Sequence, residues 1–181
     1  FDELGRKAMS YFDEVGRLVK TERYGTSSVP YSNVTLTYTW MDDIRTSTDA
    51  EGRVTVFSYD YLGRNTRTQY MNGTAFAQTT TAYDDTNLRV TRTDENGNKA
   101  VSVMDHLGRL NATREYYASS SYYETRMTYD AVGNMLTMRT SNGEVTRFAY
   151  NSLGLKISNS YPDERSKSWT YDKSGRIDAW T

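Results

Sequence analysis

The sequence predicts an all-β protein in which repeated antiparallel β-hairpins form one long, curved, spiralling sheet. First, a motif of an aromatic residue, Asp, two variable residues, Gly and usually Arg recurs along the chain, as in repeat proteins. Second, aromatic and β-branched residues alternate with polar ones between the copies, which is the period of a strand. Third, no segment shows a helical period, because Gly or Asn interrupts every window long enough for a helix.

The composition favours half-solvated strands over a thick core. Only 36% of the 181 residues are hydrophobic, yet 13% are aromatic and 16 are Tyr. The net charge of −1 gives no electrostatic footprint for nucleic acid or an anionic membrane, and no apolar run is long enough to span a bilayer. The absence of Cys excludes disulfides and thiolate metal sites. We therefore expect no nucleic-acid partner and no membrane insertion by this segment.

The motif copies set the positions of the turns. The chain opens with copies at residues 1–6 and 12–17, followed by a polar connector at 24–33 and a degenerate copy at 40–45. Clear copies span residues 59–64, 104–109, 129–134, 150–155 and 171–176, and the last three follow at steps of 21 residues. The structural turn residues in them are Tyr59, Asp60, Gly63, Arg64, Met104, Asp105, Gly108, Arg109, Tyr129, Asp130, Gly133, Tyr150, Asn151, Gly154, Tyr171, Asp172, Gly175 and Arg176.

The spacing Asp-x-x-Gly is typical of a type I turn closed by a left-handed residue. The Asp side chain accepts hydrogen bonds from the turn backbone, and Gly takes a positive φ without strain. In the copy at residues 83–87, Asn87 stands where Gly is expected and is the next best residue for that backbone. Such a turn joins antiparallel strands with a local bulge.

Each repeat therefore holds two strands and two turns. Residues 49–53 and 94–97 indicate a second turn type, which lacks the aromatic residue. In an up-and-down meander, the motif turns lie along one edge of the sheet and the second loops along the other. The chain accommodates about sixteen strands, whereas a twisted open sheet of more than about ten has to curl or split.

The aromatic residues that precede the turns share one face of the predicted sheet, as Phe57 and Tyr59 do. Cross-strand packing explains this stripe, and a sugar-stacking platform is the alternative. The stripe comprises Tyr38, Trp40, Phe57, Tyr59, Tyr83, Tyr129, Phe148, Tyr150, Trp169 and Tyr171. Further aromatics flank the long second loops and are better ligand candidates, although packing at the loop base also explains them. They are Tyr24, Tyr31, Tyr70, Phe76, Tyr116, Tyr117, Tyr122 and Tyr123.

The residues with catalytic or metal-binding chemistry have structural interpretations. We expect each motif Asp to close its own turn, and the motif Arg residues to pair with neighbouring Asp across the turn edge. Residues 94–98 are loosely similar to a calcium loop, but Gly97 comes too early. His106 has no second His or Cys with which to form a zinc site or a catalytic triad. We therefore expect no enzymatic activity, catalytic residue, cofactor or metal site.

N-glycosylation sequons begin at Asn33, Asn72 and Asn111 and matter only in a secreted eukaryotic protein.

Residues 59–65, Tyr-Asp-Tyr-Leu-Gly-Arg-Asn, and residues 171–177, Tyr-Asp-Lys-Ser-Gly-Arg-Ile, resemble the YD repeats of Rhs-repeat proteins. That family includes bacterial polymorphic toxins, the cocoon-forming subunits of insecticidal toxin complexes, wall-associated toxin proteins and teneurins. The resemblance covers residues 1–181, which we interpret as a single array of YD repeats cut from a longer shell. The degenerate copy at 40–45 and Asn87 are interpreted as worn repeats.

The resemblance implies a strip of hairpins that winds into a hollow shell. In toxin members the shell encloses a C-terminal toxin or effector domain, which autoproteolysis can release. The Asp-Pro pair of that cleavage site is missing here, since Pro30 follows Val29 and Pro162 follows Tyr161. The implied partners are the remaining repeats of the shell and the enclosed domain, in a secreted or cell-surface protein. An extracellular adhesion or carbohydrate-binding surface, with a glycan or receptor as partner, is the alternative.

Overall fold

The computed structural model describes residues 6–72 and 75–181, and in this part of the chain every regular element is a β-strand. The first motif copy, at residues 1–6, lies outside the described residues except for Arg6. The sequon that begins at Asn72 also falls partly outside them, at residues 73 and 74. Within the described ranges there is no helix that could cross a membrane.

Sixteen strands follow one another in the described residues, and all are short. The first eight are β1 (Lys7–Phe12), β2 (Leu18–Tyr24), β3 (Pro30–Tyr38), β4 (Ile44–Asp49), β5 (Val54–Tyr59), β6 (Asn65–Asn72), β7 (Ala75–Asp84) and β8 (Arg89–Thr93). The others are β9 (Lys99–Met104), β10 (Leu110–Tyr116), β11 (Tyr122–Tyr129), β12 (Met135–Arg139), β13 (Val145–Tyr150), β14 (Lys156–Ser160), β15 (Ser166–Tyr171) and β16 (Ile177–Trp180). The predicted all-β class and the hairpin repeat are confirmed.

Consecutive strands are hydrogen-bonded neighbours in one 16-stranded sheet, in the order β1 to β16. The strands form two compact units, one of Phe1–Ala82 with Thr93–Gly97 and one of Tyr83–Arg92 with Asn98–Thr181. The antiparallel meander places the motif turns along one edge within each unit, and the second loops along the other. The edge assignment expected from the repeat is therefore correct.

A register shift occurs beside the motif aromatic in both units, where the predicted bulge belongs. In the first unit the shifts lie at Tyr11/Phe12, Thr37/Tyr38 and Ser58/Tyr59. In the second they lie at Thr128/Tyr129, Ala149/Tyr150 and Thr170/Tyr171. The extra residue is the second residue of the strand that follows the turn, as Thr66 is in β6 and Leu136 is in β12, so a bulge follows each of these turns.

Alternation along the strands gives each unit two chemically different faces. The motif tyrosines lie on one face, which we call the aromatic face; Tyr129 shares it with Met127, because residues two apart point the same way. Thr128 lies on the opposite face with its register partner Thr137, and the two hydroxyls are hydrogen-bonded at 2.6 Å. We call this second side the mixed face, since it carries Val, Thr and charged residues.

Very little of either unit is buried. Among the described residues, the buried hydrophobic side chains are Val101 and Ala112, both on the mixed face of the second unit. Glu22, Thr146 and Asn159 are buried polar residues. Since a hydrophobic core is nearly absent, cross-strand pairs and turn hydrogen bonds have to hold the hairpins together.

Candidate functional site: the turn edge and the two faces

The motif turn at residues 60–64 satisfies its own polar groups. The Gly63 N–H donates to the carbonyl of Asp60 at 3.1 Å, and the Asp60 N–H donates to the carbonyl of Arg64 at 3.0 Å. Oδ1 of Asp60 accepts the backbone N–H groups of Leu62 and Arg64 at 2.9 and 3.0 Å. Oδ2 accepts Nε of Arg64 at 2.8 Å. The carboxylate is therefore used inside its own turn and is poorly placed to act as an acid or a metal ligand.

The same arrangement recurs in the other motif turns. Nε of the motif Arg reaches the Asp four residues earlier at 2.7 Å in residues 13–17, at 2.7 Å in residues 105–109 and at 2.9 Å in residues 172–176. Asn134 replaces the Arg in residues 130–134 and donates to Asp130 at 2.8 Å. In residues 151–155, Oδ1 of Asn151 accepts two backbone N–H groups at 3.0 and 2.9 Å. The turn thus tolerates replacement of either charged partner by an amide.

These contacts lower the pKa of the motif aspartates. For Asp105 the main cause is the hydrogen bond from the Arg109 backbone N–H, and the Arg109 side chain adds to it. For Asp130 the main cause is the hydrogen bond from the Asn134 side chain. Partial burial of Asp60 favours its neutral form, but hydrogen bonds from Arg64 outweigh that effect and the pKa still falls. The aspartates therefore stay ionised well into the acidic range.

Four of the described motif turns are also tied to the turn before them through the motif tyrosine. The hydroxyl of Tyr129 donates to the carbonyl of Leu110 at 2.8 Å, and Leu110 lies two residues after Gly108 of the preceding turn. Tyr171 makes the equivalent hydrogen bond to Lys156 at 2.7 Å, two residues after Gly154. In the first unit, Tyr38 reaches Leu18 at 2.6 Å and Tyr59 reaches Ile44 at 2.8 Å. The tyrosine side chain is therefore long enough to span one hairpin, and the turn at residues 105–109 forms with Met104 in that position.

The motif arginines add a second link between neighbouring turns. The guanidinium of Arg109 lies 4.9 Å from the ring centroid of Tyr129, and Nη1 donates to the carbonyl of Asp130 at 3.0 Å. Arg17 stands equally over Tyr38, at 4.9 Å, and forms an ion pair with Asp42 at 2.6 Å. The expected pairing of Arg with Asp across the turn edge thus exists for Arg17. The commoner ion pair is with the Asp of the same turn.

The degenerate copy predicted at residues 40–45 is shifted by two residues. Tyr38 is the motif aromatic, and Thr39 takes the place of Asp by accepting the N–H groups of Met41 and Asp43, both at 3.2 Å. Asp42 is the left-handed residue, with a φ of 66°. Trp40 is 91% exposed within the turn and does not belong to the aromatic stripe, so this part of the prediction is wrong. The sequence prediction misplaced this copy because Thr39, and not Asp, stands at the turn-opening position.

The prediction that Asn87 supplies the left-handed residue is also wrong. Leu88 has the positive φ, at 54°, whereas Asn87 donates from its side chain and its backbone to the Asp84 carboxylate at 2.8 and 3.0 Å. The left-handed residue thus stands four residues after Asp84, not three. Asn87 caps the turn through its amide.

The second turn type has the same backbone as the motif turn. The Asp49 N–H donates to the carbonyl of Arg53 at 3.1 Å, Gly52 has a φ of 77°, and Nε of Arg53 contacts Asp49 at 2.7 Å. Glu164 takes the left-handed position of another such turn with a φ of 65°. The short turns on the second edge therefore share the chemistry of the motif turns, and the tyrosine link distinguishes the motif edge.

The other sequence candidates are surface features. Asp94 accepts the backbone N–H of Gly97 at 3.1 Å, so residues 94–97 form a turn, and His106 is exposed in a motif turn. In the described parts of the chain, no three His, Cys, Asp or Glu side chains converge on a possible metal position. Of the sequon residues, Asn111 is exposed and Asn33 is half-buried.

The long loop after β10 is flanked by two tyrosine pairs with tilted rings, one pair on each face. The rings of Tyr116 and Tyr122 lie 5.0 Å apart, and those of Tyr117 and Tyr123 lie 4.7 Å apart. The pair on the aromatic face is open to solvent, with Tyr117 63% and Tyr123 60% exposed. Packing at the loop base therefore accounts for the tyrosines, and one pair also offers an open aromatic surface.

Two charged clusters on the mixed face were not found from the sequence. In the first unit, the Glu22 carboxylate accepts the hydroxyls of Tyr11 and Tyr24, each at 2.6 Å, and pairs with Lys20 at 2.7 Å. The hydrogen bond from Lys20 is the main cause that lowers the pKa of Glu22 to about 2, and the two tyrosine hydroxyls add to it. The hydrogen bond to Glu22 in turn raises the pKa of Tyr24 to about 12. The available signal was the alternation of Lys20, Glu22 and Tyr24 along one strand. The second cluster, around Glu124, is described below.

Comparison with solved structures decides the fold. A crystal structure of TcdB2-TccC3 with Cdc42 superimposes on this chain with a TM-score of 0.74 and 15% identity, covering 92% of this chain and 11% of that one. The chain has the YD-repeat fold. A TcdB2-TccC3-TEV crystal structure gives a TM-score of 0.76 at 16% identity, covering 94% of this chain and 11% of that one. The resemblance to Rhs/YD-repeat proteins is thus confirmed at the level of the fold.

A further match comes from an assembled complex. The structure of the Photorhabdus luminescens Tc holotoxin pore gives a TM-score of 0.72 at 16% identity, with 90% of this chain and 10% of that chain covered. The YD-repeat segment thus spans about a tenth of the length of the proteins it matches. No protein-family model matches the sequence, and no curated protein matches it.

Proposed function

We propose that this YD-repeat segment is part of the wall of an Rhs-type shell that encloses a C-terminal toxin or effector domain of a secreted protein. The observation that carries the proposal is the match of 92% of the chain to TcdB2-TccC3 at a TM-score of 0.74. Another of the matched structures is described as TcdB2-TccC3 without its hypervariable C-terminal region, so that protein has a variable C-terminal region.

The physical chemistry of the described residues supports a structural role. The motif carboxylates are consumed by their own turns, as Oδ1 and Oδ2 of Asp105 are by the backbone N–H and Nε of Arg109, both within 2.9 Å. A general acid or base needs a free carboxylate within reach of a substrate. We therefore propose that the segment has no enzymatic activity of its own.

The way the repeats propagate supports the proposal of containment. Each hairpin pairs with the next through its backbone, and the link from Tyr129 to Leu110 recurs at Tyr38, Tyr59 and Tyr171. A sheet built in this manner extends by adding hairpins, and further repeats of the same protein are its natural neighbours. Such a wall separates a cargo from proteases and from the producing cell.

Limited proteolysis of the full-length parent protein tests the proposal. The C-terminal domain should resist protease in the native state and become cleavable only at the urea concentration that opens the repeats. A parent carrying Gly108→Ala in the wall should release the domain to protease at a lower urea concentration than the wild type. Immediate cleavage of everything beyond the repeats in the native wild-type protein would exclude enclosure.

A second candidate function is an adhesion or carbohydrate-binding surface on an extracellular protein. The exposed pair of Tyr117 and Tyr123 supports it, because open aromatic rings at a loop edge suit stacking on a sugar. A glycan array probed with the chain and with Tyr117→Ala checks this idea. Binding that Tyr117→Ala abolishes and Tyr61→Ala, at an exposed turn tyrosine, retains would support the surface; equal binding by both variants would reject the pair as its site.

A further inference from the structure

A row of arginines crosses four adjacent strands on the mixed face of the second unit. It consists of Arg114 on β10, Arg126 on β11, Arg139 on β12 and Arg147 on β13. Arg126 and Arg139 are direct register partners, and like charges placed directly opposite each other destabilise a sheet. The whole chain has a net charge of −1, so general basicity does not explain this concentration of positive charge. We call these four residues the arginine row.

The first half of the arginine row holds an internal carboxylate. Glu124 is the register partner of Arg114 and stands two residues before Arg126 on the same strand. Its carboxylate contacts Nε of Arg114 at 2.7 Å and Nε of Arg126 at 2.5 Å, and its side chain is only 17% exposed. Burial opposes the charge, but the two guanidinium groups outweigh it and lower the pKa of Glu124. One carboxylate therefore neutralises the charge between two arginines.

The second half repeats this geometry with an apolar residue in the central position. Val145 is the register partner of Arg139 and stands two residues before Arg147, as Glu124 does relative to Arg114 and Arg126. Arg139 and Arg147 are both exposed. Across residues 6–72 and 75–181, neither of these two arginines takes part in an ion pair. The second half thus presents two exposed arginines in the register that holds a carboxylate in the first half.

A pocket lies beside Arg139, where the two halves of the arginine row meet. The pocket has a volume of about 280 Å³ and is lined by Glu124, Arg126, Arg139, Thr140 and Ser141. Oγ1 of Thr140 is buried there and makes no hydrogen bond. The Ser141 hydroxyl, in contrast, donates to the Glu124 carbonyl at 3.0 Å and accepts the Glu124 N–H. Because this hydroxyl is inaccessible, a ligand in the pocket would contact the side chains of Arg126 and Arg139 and not the Thr140 hydroxyl.

We propose that Arg139 and Arg147 bind a carboxylate-bearing, acidic segment of a partner polypeptide. The planar guanidinium fork matches a carboxylate, and Glu124 shows that this mode operates between the neighbouring pair. Alternate side chains of an extended segment lie about 6.7 Å apart, so a strand with acidic residues at every second position places them along the row. The inference does not depend on enclosure, because the segment can belong to any partner.

Fluorescence anisotropy with a labelled ten-residue peptide of alternating Glu and Thr tests the proposal on the 181-residue chain. We expect binding that weakens as salt is added, since exposed charges are screened. The double variant Arg139→Gln/Arg147→Gln should bind the peptide about tenfold more weakly, from a few-fold loss per exposed ion pair. The double variant Arg23→Gln/Arg45→Gln removes the same two charges from exposed arginines of the first unit and should leave the affinity unchanged.

Val145→Glu is a second and independent variant. It places a carboxylate between Arg139 and Arg147, as Glu124 is placed between Arg114 and Arg126. The variant should lose peptide binding and unfold at a higher urea concentration than the wild type, which also shows that it folds. Absence of binding by the wild type, or equal binding by the wild type and both variants, would overturn the proposal. Tighter binding of a sulfated oligosaccharide or of single-stranded DNA of equal charge would also overturn the proposal, because the preferred ligand would then be a sulfate or phosphate and not a carboxylate.

Discussion

Replacing Gly108 by Ala should destabilise the second unit, because the turn needs a left-handed residue there. Gly108 has a φ of 76°, and a Cβ added to it would meet no other atom within 4 Å. The whole effect therefore comes from the backbone. An L-residue pays about 1–2 kcal/mol in this conformation. The smaller conformational entropy of the unfolded Ala variant offsets about 0.4–1 kcal/mol of this cost. We expect a net loss of about 1 kcal/mol.

Gly25→Ala is the matched control for this substitution. Gly25 lacks a positive φ, and a Cβ there would also meet nothing within 4 Å. This change should be neutral or stabilise the chain by up to about 1 kcal/mol, through the unfolded state alone. Urea unfolding followed by tyrosine and tryptophan fluorescence gives both values, with an unchanged m-value as the sign that only stability has moved.

Hydrogen exchange locates the effect. The Gly108 N–H donates to the Asp105 carbonyl at 2.9 Å, so Gly108→Ala should speed exchange of the amides in β9 and β10, and those of β15 and β16 should change less. If Gly108→Ala and Gly25→Ala shift the urea midpoint equally, a left-handed turn residue is not what stabilises the hairpin. The argument for the repeated Gly would then fail.

Three further predictions address the other contacts. Glu164→Gly should raise the urea midpoint, because it relieves a φ of 65° at an exposed residue; a lower midpoint would show that the Glu side chain matters more than its backbone. Tyr129→Phe removes the 2.8 Å hydrogen bond to Leu110 and should cost about 0.5–1.5 kcal/mol, whereas Tyr61→Phe, at an exposed turn residue, should cost nothing measurable. The folded-state pKa of Glu22 lies at about 2, below its ordinary value of 4.5, so its stabilisation is present above pH 4.5 and is lost as the pH falls towards 2. Glu22→Gln should therefore flatten the fall of the urea midpoint with acidification, and an unchanged slope would exclude Glu22 as a cause.

Much of the fold was predictable because a turn is a local event. The chemistry that Asp60 and Gly63 need lies within five consecutive residues, so the sequence alone indicates the hairpins and the strand number. The phase of the copy around Thr39 was missed because a hydroxyl can open the same turn as a carboxylate. Leu88 was missed because nothing in a Leu side chain signals a positive φ.

The charged clusters were harder to predict for a different reason. Period-two alternation tells which residues of one strand share a face, but the residue opposite depends on loop length and on bulges. The pairing of Arg114 with Glu124 depends on the length of the loop at residues 117–121, and the pairing of Arg139 with Val145 on the turn at 140–144. Only the register shows that the two arrangements are equivalent and that one of them lacks a carboxylate.

The near absence of a core has a consequence for how such a chain responds to mutation. With Val101 and Ala112 as the buried hydrophobic residues of the described parts, no substitution can remove a large shared core contact. Stability is instead a sum over hairpins and over links such as that from Tyr129 to Leu110, each of which involves only neighbouring hairpins. Substitutions in different hairpins should therefore combine additively, while Gly108→Ala and Tyr129→Phe, which act on the same pair of turns, should not. Two double-mutant cycles measure the difference in coupling energy. One combines Gly108→Ala with Tyr129→Phe, and the other combines Gly108→Ala with Tyr171→Phe. Equal coupling in both cycles would mean that the unit unfolds through contacts that the turn chemistry does not explain.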